Sequence, residues 1–173
     1  MQRYFEDHPE FLVQVLGGGH GRWVIPQKRL GSEHVTDFLL GERHSFGYEW
    51  LAVELESPKR RMFNRSGDPS ATLTHAIRQI HDWRGWLKRN QPYASRPREE
   101  SGLGLPDIDC NVTGLVLIGR RDDVDPSTNE LRRQMVTDLR IQIHSYDYVL
   151  DPSPAIGILQ SIRSANCPWA GRV

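Results

Sequence analysis

Three observations predict an α/β domain in which a mixed β-sheet is flanked by helices. Three strand-like runs follow one another across short polar or glycine-bearing connections, one long amphipathic stretch carries helix-start signals, and an almost wholly apolar run precedes a second capped helix and an alternating strand. The resulting order is α-β-β-β-α-β-α-β. At 173 residues and 38% hydrophobic content, the chain can bury one sizeable core and is short for two ordinary domains, so residues 1–173 read as a single domain.

The first helix is expected from Pro9, which suits a first turn, with Phe11, Leu12, Val15 and Leu16 as its apolar stripe and Gly17 to Gly19 as its end. Tyr4 and Phe5 suggest a further short helical piece before it. The strand-like runs are RWVIPQKRL, HVTDFLLGE and YEWLAVELES, an antiparallel meander by their connections. In GDPSATLTHAIRQIHDWRGWLKRN, Asp68 is the expected N-cap and Pro69 the first helical residue, and Leu73, Ala76, Ile77, Ile80, Trp83 and Leu87 form the stripe. A long polar loop is expected from Gln91 to Asp109. VTGLVLIG then reads as a strand buried on both faces, DPSTNELRRQMVTDL as a capped helix, RIQIHSY as a strand and YDYVLD as a closing turn or helix.

Composition narrows the function. Lysine plus arginine (22) balances aspartate plus glutamate (22), so a nucleic-acid partner must be met by a local patch. Cys110 and Cys167 are distant and lack CxxC spacing, which argues against a disulfide framework or zinc knuckle and fits a reducing, cytoplasmic setting. The opening stretch contains acids and only a short apolar run, so neither a signal peptide nor a membrane span is expected there.

Chemistry concentrates in WLAVELESPKR. Side chains alternate along a strand, so Glu54 and Glu56 share one face. At about 6 Å and an effective dielectric near 20 they repel by roughly 3 kcal/mol. Asp37, within the apolar run HVTDFLLG, lies one hairpin away and brings a third carboxylate. Two readings follow: a solvated face with Asp37 paired locally, or a platform of hard oxygen ligands for a divalent ion such as Mg²⁺, with the backbone carbonyl between the glutamates as an extra ligand. Beyond the acids, Lys59, Arg60, Arg61 and Arg65 make one basic cluster and Arg84, Lys88 and Arg89 another, suited either to solvent or to phosphates.

The series DFLL, VELESP, RMFNRSGDPSATLTHAIRQIHDWRGWL, LVLIGRR and IHSYDYVL resembles the Shedu family of prokaryotic anti-phage defence proteins, whose C-terminal domain belongs to the PD-(D/E)xK nuclease superfamily. That resemblance implies a restriction-endonuclease-like core and a metal-dependent DNA nuclease. Asp37 would be the strand aspartate, Glu54 the first acid of an E-x-K element, and Mg²⁺, replaceable by Mn²⁺, would be held by Asp37 and Glu54. Glu56 stands where lysine is usual, giving E-x-E, and would act as general base or recruit a second metal. QIHDW resembles the Q-x-x-x-Y element found in some branches of that superfamily, which implies a role at the carboxylates for Gln79, backed by Trp83. DNA and further copies of the chain are the implied partners, with no small-molecule cofactor, and the domain would be the C-terminal part of a longer protein. Because the lysine is replaced, a second reading stays open: a nuclease-fold module without catalysis that binds nucleic acid or serves assembly.

Other motifs carry less. GGGHG follows a helix and precedes a strand, the reverse of a P-loop. RRDDVD lacks the glycine and distal glutamate of a calcium loop, and the acids Asp107 and Asp109 in DID form a weaker rival metal site. His20, His34 and His44 fall at strand ends, and His75 and His81 are six apart, so they do not share a helical face.

Overall fold

The computed structural model describes residues 1–18 and 20–151; Cys167 and the rest of the C-terminal segment lie outside the described residues. In chain order the elements are α1 (Gln2–Asp7), α2 (Glu10–Val13), β1 (Gly21–Pro26), β2 (Arg29–Leu30), β3 (His34–Val35), β4 (Phe38–His44), β5 (Gly47–Leu55), α3 (Ala71–Ser95), β6 (Thr113–Leu117), α4 (Asn129–Leu139), β7 (Ile141–His144) and α5 (Asp147–Leu150). Short 3₁₀ turns sit at Arg98–Glu100, Arg121–Asp123 and Pro126–Thr128.

The main sheet has the order β1-β4-β5-β6-β7. Its first three strands are antiparallel, whereas β5, β6 and β7 are parallel. A tight turn joins β4 to β5, and the β2–β3 hairpin lies between β1 and β4 in the chain; the parallel pairs need crossovers, which α3 and α4 supply. This is the mixed, helix-flanked sheet that the sequence predicts.

Two of the expected strands are each broken in two. After Pro26 the chain turns at Gln27, in the left-handed region with φ 46°, and makes the small β2–β3 hairpin before re-entering the sheet at Phe38. Asp37 therefore lies in the bend just before β4 and not inside a strand.

Alternation along the strands divides the core. Leu39, Ala52, Val116 and Ile143 face α3 and its buried stripe of Leu73, Ala76, Ile80, Trp83 and Leu87. Phe38, Leu40, Val53, Leu115 and Leu117 face the other way, against Phe5, Leu12, Tyr146 and Val149 of the small helices and their flanks. By period two, Glu54 shares the face of Ala52 and points under α3.

The start of α3 differs from the sequence expectation. Ser70 is the cap, its hydroxyl accepting from the Leu73 N–H at 3.1 Å, while Pro69 pairs with Phe63 in an isolated bridge. The helix also runs past Asn90, which leaves helical geometry (φ −125°, ψ 17°) so that Pro92, lacking an N–H, fits the last turns. The segment expected as a loose loop is anchored: Leu103 and Leu105 N–H groups donate to Tyr93 and Ala94, and Leu105 and Ile108 are buried. No helix among the described residues is long and apolar enough to cross a membrane.

Candidate active site

Phe38 pairs with Val53, so continuing the β4–β5 register by one residue sets Asp37 opposite Glu54 at the C-terminal end of β5. The Asp37 Oδ2 accepts the Leu55 N–H at 2.7 Å, which stitches the bend to the strand end. Glu56 follows directly. Its N–H donates to the Leu117 carbonyl at 2.8 Å, prolonging the β5–β6 ladder, and its own carbonyl accepts the Tyr146 hydroxyl at 2.5 Å. Tyr146, stacked on Phe5, thereby holds the strand end from below.

Burial gives this arrangement its electrostatic character. Glu54 is only 6% exposed. Desolvation beneath α3, then the neighbouring Asp37 and Glu56 carboxylates, push its pKa up to about 8, against a hydrogen bond donated by the Gln79 amide. Burial also raises Asp37, partly offset by the Leu55 N–H. Glu56 is raised by burial as well; His75 and Arg60 draw it back and Asp37 adds to the rise. The same three acids, after burial, raise the Tyr146 phenol. Three carboxylates thus neighbour one another with too little positive charge, and a proton on Glu54 is one way to relieve them. A hard divalent cation is the other, and an all-oxygen donor set suits Mg²⁺ or Mn²⁺.

Asp37, Glu54 and Gln79 are brought together as the sequence expects, and Trp83, one turn beyond Gln79, is buried in the core behind it. Asp37, Glu54 and Glu56 do not close into one tight trio: among the described residues, the only Asp, Glu, His or Cys trio with ligand atoms all within 4.8 Å of one another is Glu42, His44 and Glu49. That trio lies on the β4–β5 hairpin, five residues and about 17 Å of strand from Glu54. There Glu42 and Glu49 face each other across the pair with the His44 Nε2 2.7 Å from one and 3.6 Å from the other.

The two basic clusters fare differently. Lys59, Arg60 and Arg61 are exposed immediately beyond the acids. Arg60, Arg61 and Arg65 line an open groove of about 550 Å³ with Ser70, Ala71 and Thr72 at the N-terminus of α3. Gly119, at φ 69°, lets the chain pass under this segment; a Cβ there would lie 2.5 Å from the Arg60 carbonyl oxygen. Arg84, by contrast, is a structural residue and not a surface cation. It is 8% exposed and donates from Nε to the Val112 carbonyl and from its two terminal nitrogens to those of Leu139 and Arg140. Lys88 is exposed beside Arg140, nine residues and roughly 13 Å along α3 from Gln79. Arg89 lies 3.7 Å from Glu33. A strong helix with charges on successive turns does not disclose which turn reaches which end of the sheet. Local sequence pattern does not mark Tyr146 and His75 as site residues; for His75 the signal in the sequence is its place four residues before Gln79, on the same helical face.

The family model described as "Shedu protein SduA, C-terminal" matches residues 1–150. No curated protein matches the chain. Among solved structures, a chain in the "Structure of EndoMS-dsDNA2 complex" aligns with a TM-score of 0.38 and 14% identity, covering 83% of this chain and 41% of that one. With the family match extending from α1 through α5, the chain belongs to the Shedu family, in the part that corresponds to the SduA C-terminal domain.

Proposed function

We propose that this domain is a Mg²⁺-dependent DNA nuclease, cutting phosphodiester bonds as the effector of a prokaryotic anti-phage defence. The observation that carries the reading is the convergence of Asp37 and Glu54 at a buried strand end, where burial and neighbouring acids push Glu54 up to about 8 and the Gln79 amide holds its carboxylate. A solvated acidic face would show none of this burial.

Asp37 and Glu54 would hold the ion, and Mg²⁺ bound there would supply a positive centre for the scissile phosphate and a more acidic water. Glu56, half-buried and tied by its backbone to Leu117 and Tyr146, would accept the proton of the attacking water. Gln79 orients Glu54. Lys59, Arg60, Arg61 and Arg65 contact the backbone phosphates of duplex DNA without reading its sequence. Arg84 has no part in this, and Lys88 is too far along α3 to share the same phosphate contacts.

The test is plasmid nicking by wild type and Glu54→Ala, with Mg²⁺, with Mn²⁺ and with chelator. Wild type is expected to cut only with metal, and the variant not at all. Cutting that survives the substitution and the chelator together would refute the mechanism. A wild type that binds duplex DNA and Mg²⁺ yet never cuts would favour the non-catalytic reading, to which the replacement of the usual lysine by Glu56 points.

A further inference from the structure

The carboxylate cluster repels the phosphate it would have to admit, so the cations that face it decide whether substrate can approach. Lys59, the nearest lysine in sequence, is exposed, and its backbone N–H donates to the Ser57 hydroxyl. The geometry of α3 offers a different group. The helix is the crossover between the parallel strands β5 and β6 and returns antiparallel to β5: Gln79 meets Glu54 near the end of the strand, and Arg84 meets Val112 at the start of β6. One turn back along α3, from Gln79 to His75, is about 6 Å, on the same face. Two residues forward along β5, from Glu54 to Glu56, is about 6.6 Å in the same direction, also on one face. His75 therefore stands over Glu56 as Gln79 stands over Glu54. His75 is exposed, so its ring is open to a ligand in the cleft, and Arg60 is a second cation that acts on Glu56.

We propose that His75 is a catalytic residue that donates a hydrogen bond from its imidazole to a non-bridging oxygen of the scissile phosphate, above the Glu56 carboxylate. This rests on the nuclease reading of the site. The step it assists is balanced without it: water adds to phosphorus, its proton passes to Glu56, and the P–O bond breaks with its electron pair going to the leaving oxygen, which takes a proton from solvent water. His75 contributes a hydrogen bond to the oxygen on which negative charge grows.

The experiment compares wild type, His75→Ala, His75→Lys and, as a control on another helical face, His81→Ala. Cleavage of a defined duplex is measured in Mg²⁺, and the imidazole ¹⁵N resonances of isotopically labelled wild type are followed as the same duplex is added in Ca²⁺. His75→Ala should lower kcat by about 100-fold, as for loss of one positioned donor or acid–base group. Its KM should change less than about threefold, its Tm should stay within about 2 °C because the residue is exposed, and added imidazole should restore at least tenfold of the lost rate. His75→Lys should retain part of the activity and His81→Ala all of it. The His75 imidazole resonance should move on addition of duplex. A kcat for His75→Ala within threefold of wild type, where Glu54→Ala abolishes cutting, overturns the inference and leaves the nuclease reading standing. So does a bound duplex that leaves the His75 resonance unmoved. A duplex neither bound nor cut by wild type overturns both.

Discussion

Glu54→Gln removes the one acid buried beneath α3 while keeping its shape and a hydrogen-bonding partner for the Gln79 amide. In wild type without metal, Glu54 is held near 8 instead of 4.5, so between those values the folded protein carries a proton that the unfolded chain has lost. Stability falls with rising pH wherever the folded state binds more protons. The wild-type protein is therefore favoured at low pH, loses stability as pH rises from about 4.5 towards 8, and is level above. At about 1.4 kcal/mol per pH unit the full displacement corresponds to on the order of 5 kcal/mol, and about 3 kcal/mol once water and neighbouring groups adjust to the ionised acid. The variant has nothing to ionise there. At about pH 9 in chelator, Glu54→Gln should melt roughly 6–12 °C above wild type, at about 2–4 °C per kcal/mol for a domain of this size. At about pH 5 the two should agree within about 3 °C. Mg²⁺ at a hundred times its Kd should return about 2.7 kcal/mol to wild type at the higher pH and nothing to the variant. Thermal melts from about pH 5 to 9, with chelator and with Mg²⁺, read all of this. Parallel curves for the two proteins would refute the placement of an ionisable, metal-binding Glu54 in a desolvated site.

Arg84→Met removes three hydrogen bonds to the Val112, Leu139 and Arg140 carbonyls. It should cost about 3 kcal/mol in denaturant unfolding, while the folded variant binds duplex DNA as wild type does. Replacing Arg60 and Arg61 together by alanine should lower the slope of log K against log salt by about 1.8 for a duplex, measured by fluorescence anisotropy, whereas Arg89→Ala, whose partner is Glu33, should leave it unchanged. Asp147 is held well below the usual carboxylate range by the Arg120 guanidinium, 2.5 Å away, and by the Arg121 N–H. Its contribution is complete above about pH 4 and is lost as pH falls below that, so wild type should lose about 1–2 kcal/mol more than Asp147→Asn between about pH 5 and 2.5 in urea unfolding. Tyr146→Phe frees the Glu56 carbonyl and should cost about 1 kcal/mol in the same assay.

Much of the fold is legible in local pattern. The apolar run VTGLVLIG can only be a strand covered on both faces, and β6 is buried against α3 on one side and the small helices on the other. The stripe from Leu73 to Leu87 places α3, although the cap falls on Ser70, because Pro69 is drawn into a bridge with Phe63 that the helix pattern does not register. The break at Thr36–Asp37 is harder to read: HVTDFLLGE alternates well enough for one strand, and only the β2–β3 hairpin pulls its first part away from the sheet. That break is what frees the Asp37 carboxylate to take the Leu55 N–H at the strand end.

For the site, the periods of strand and helix are enough to show which acids share a face and that Gln79 lies one helical turn from Trp83, and chain order shows that basic residues follow the acids. The tertiary structure alone decided which ends meet. The antiparallel return of α3 over β5 brings Gln79 and His75 to Glu54 and Glu56 and carries Arg84 to the opposite end of the sheet, where its charge serves three carbonyls. Spacing along the chain is blind to that difference, because a cation on a helix has the same local pattern whether its turn lies over a carboxylate or over a row of carbonyl oxygens; the crossover that sets the direction of the helix is a property of the whole sheet.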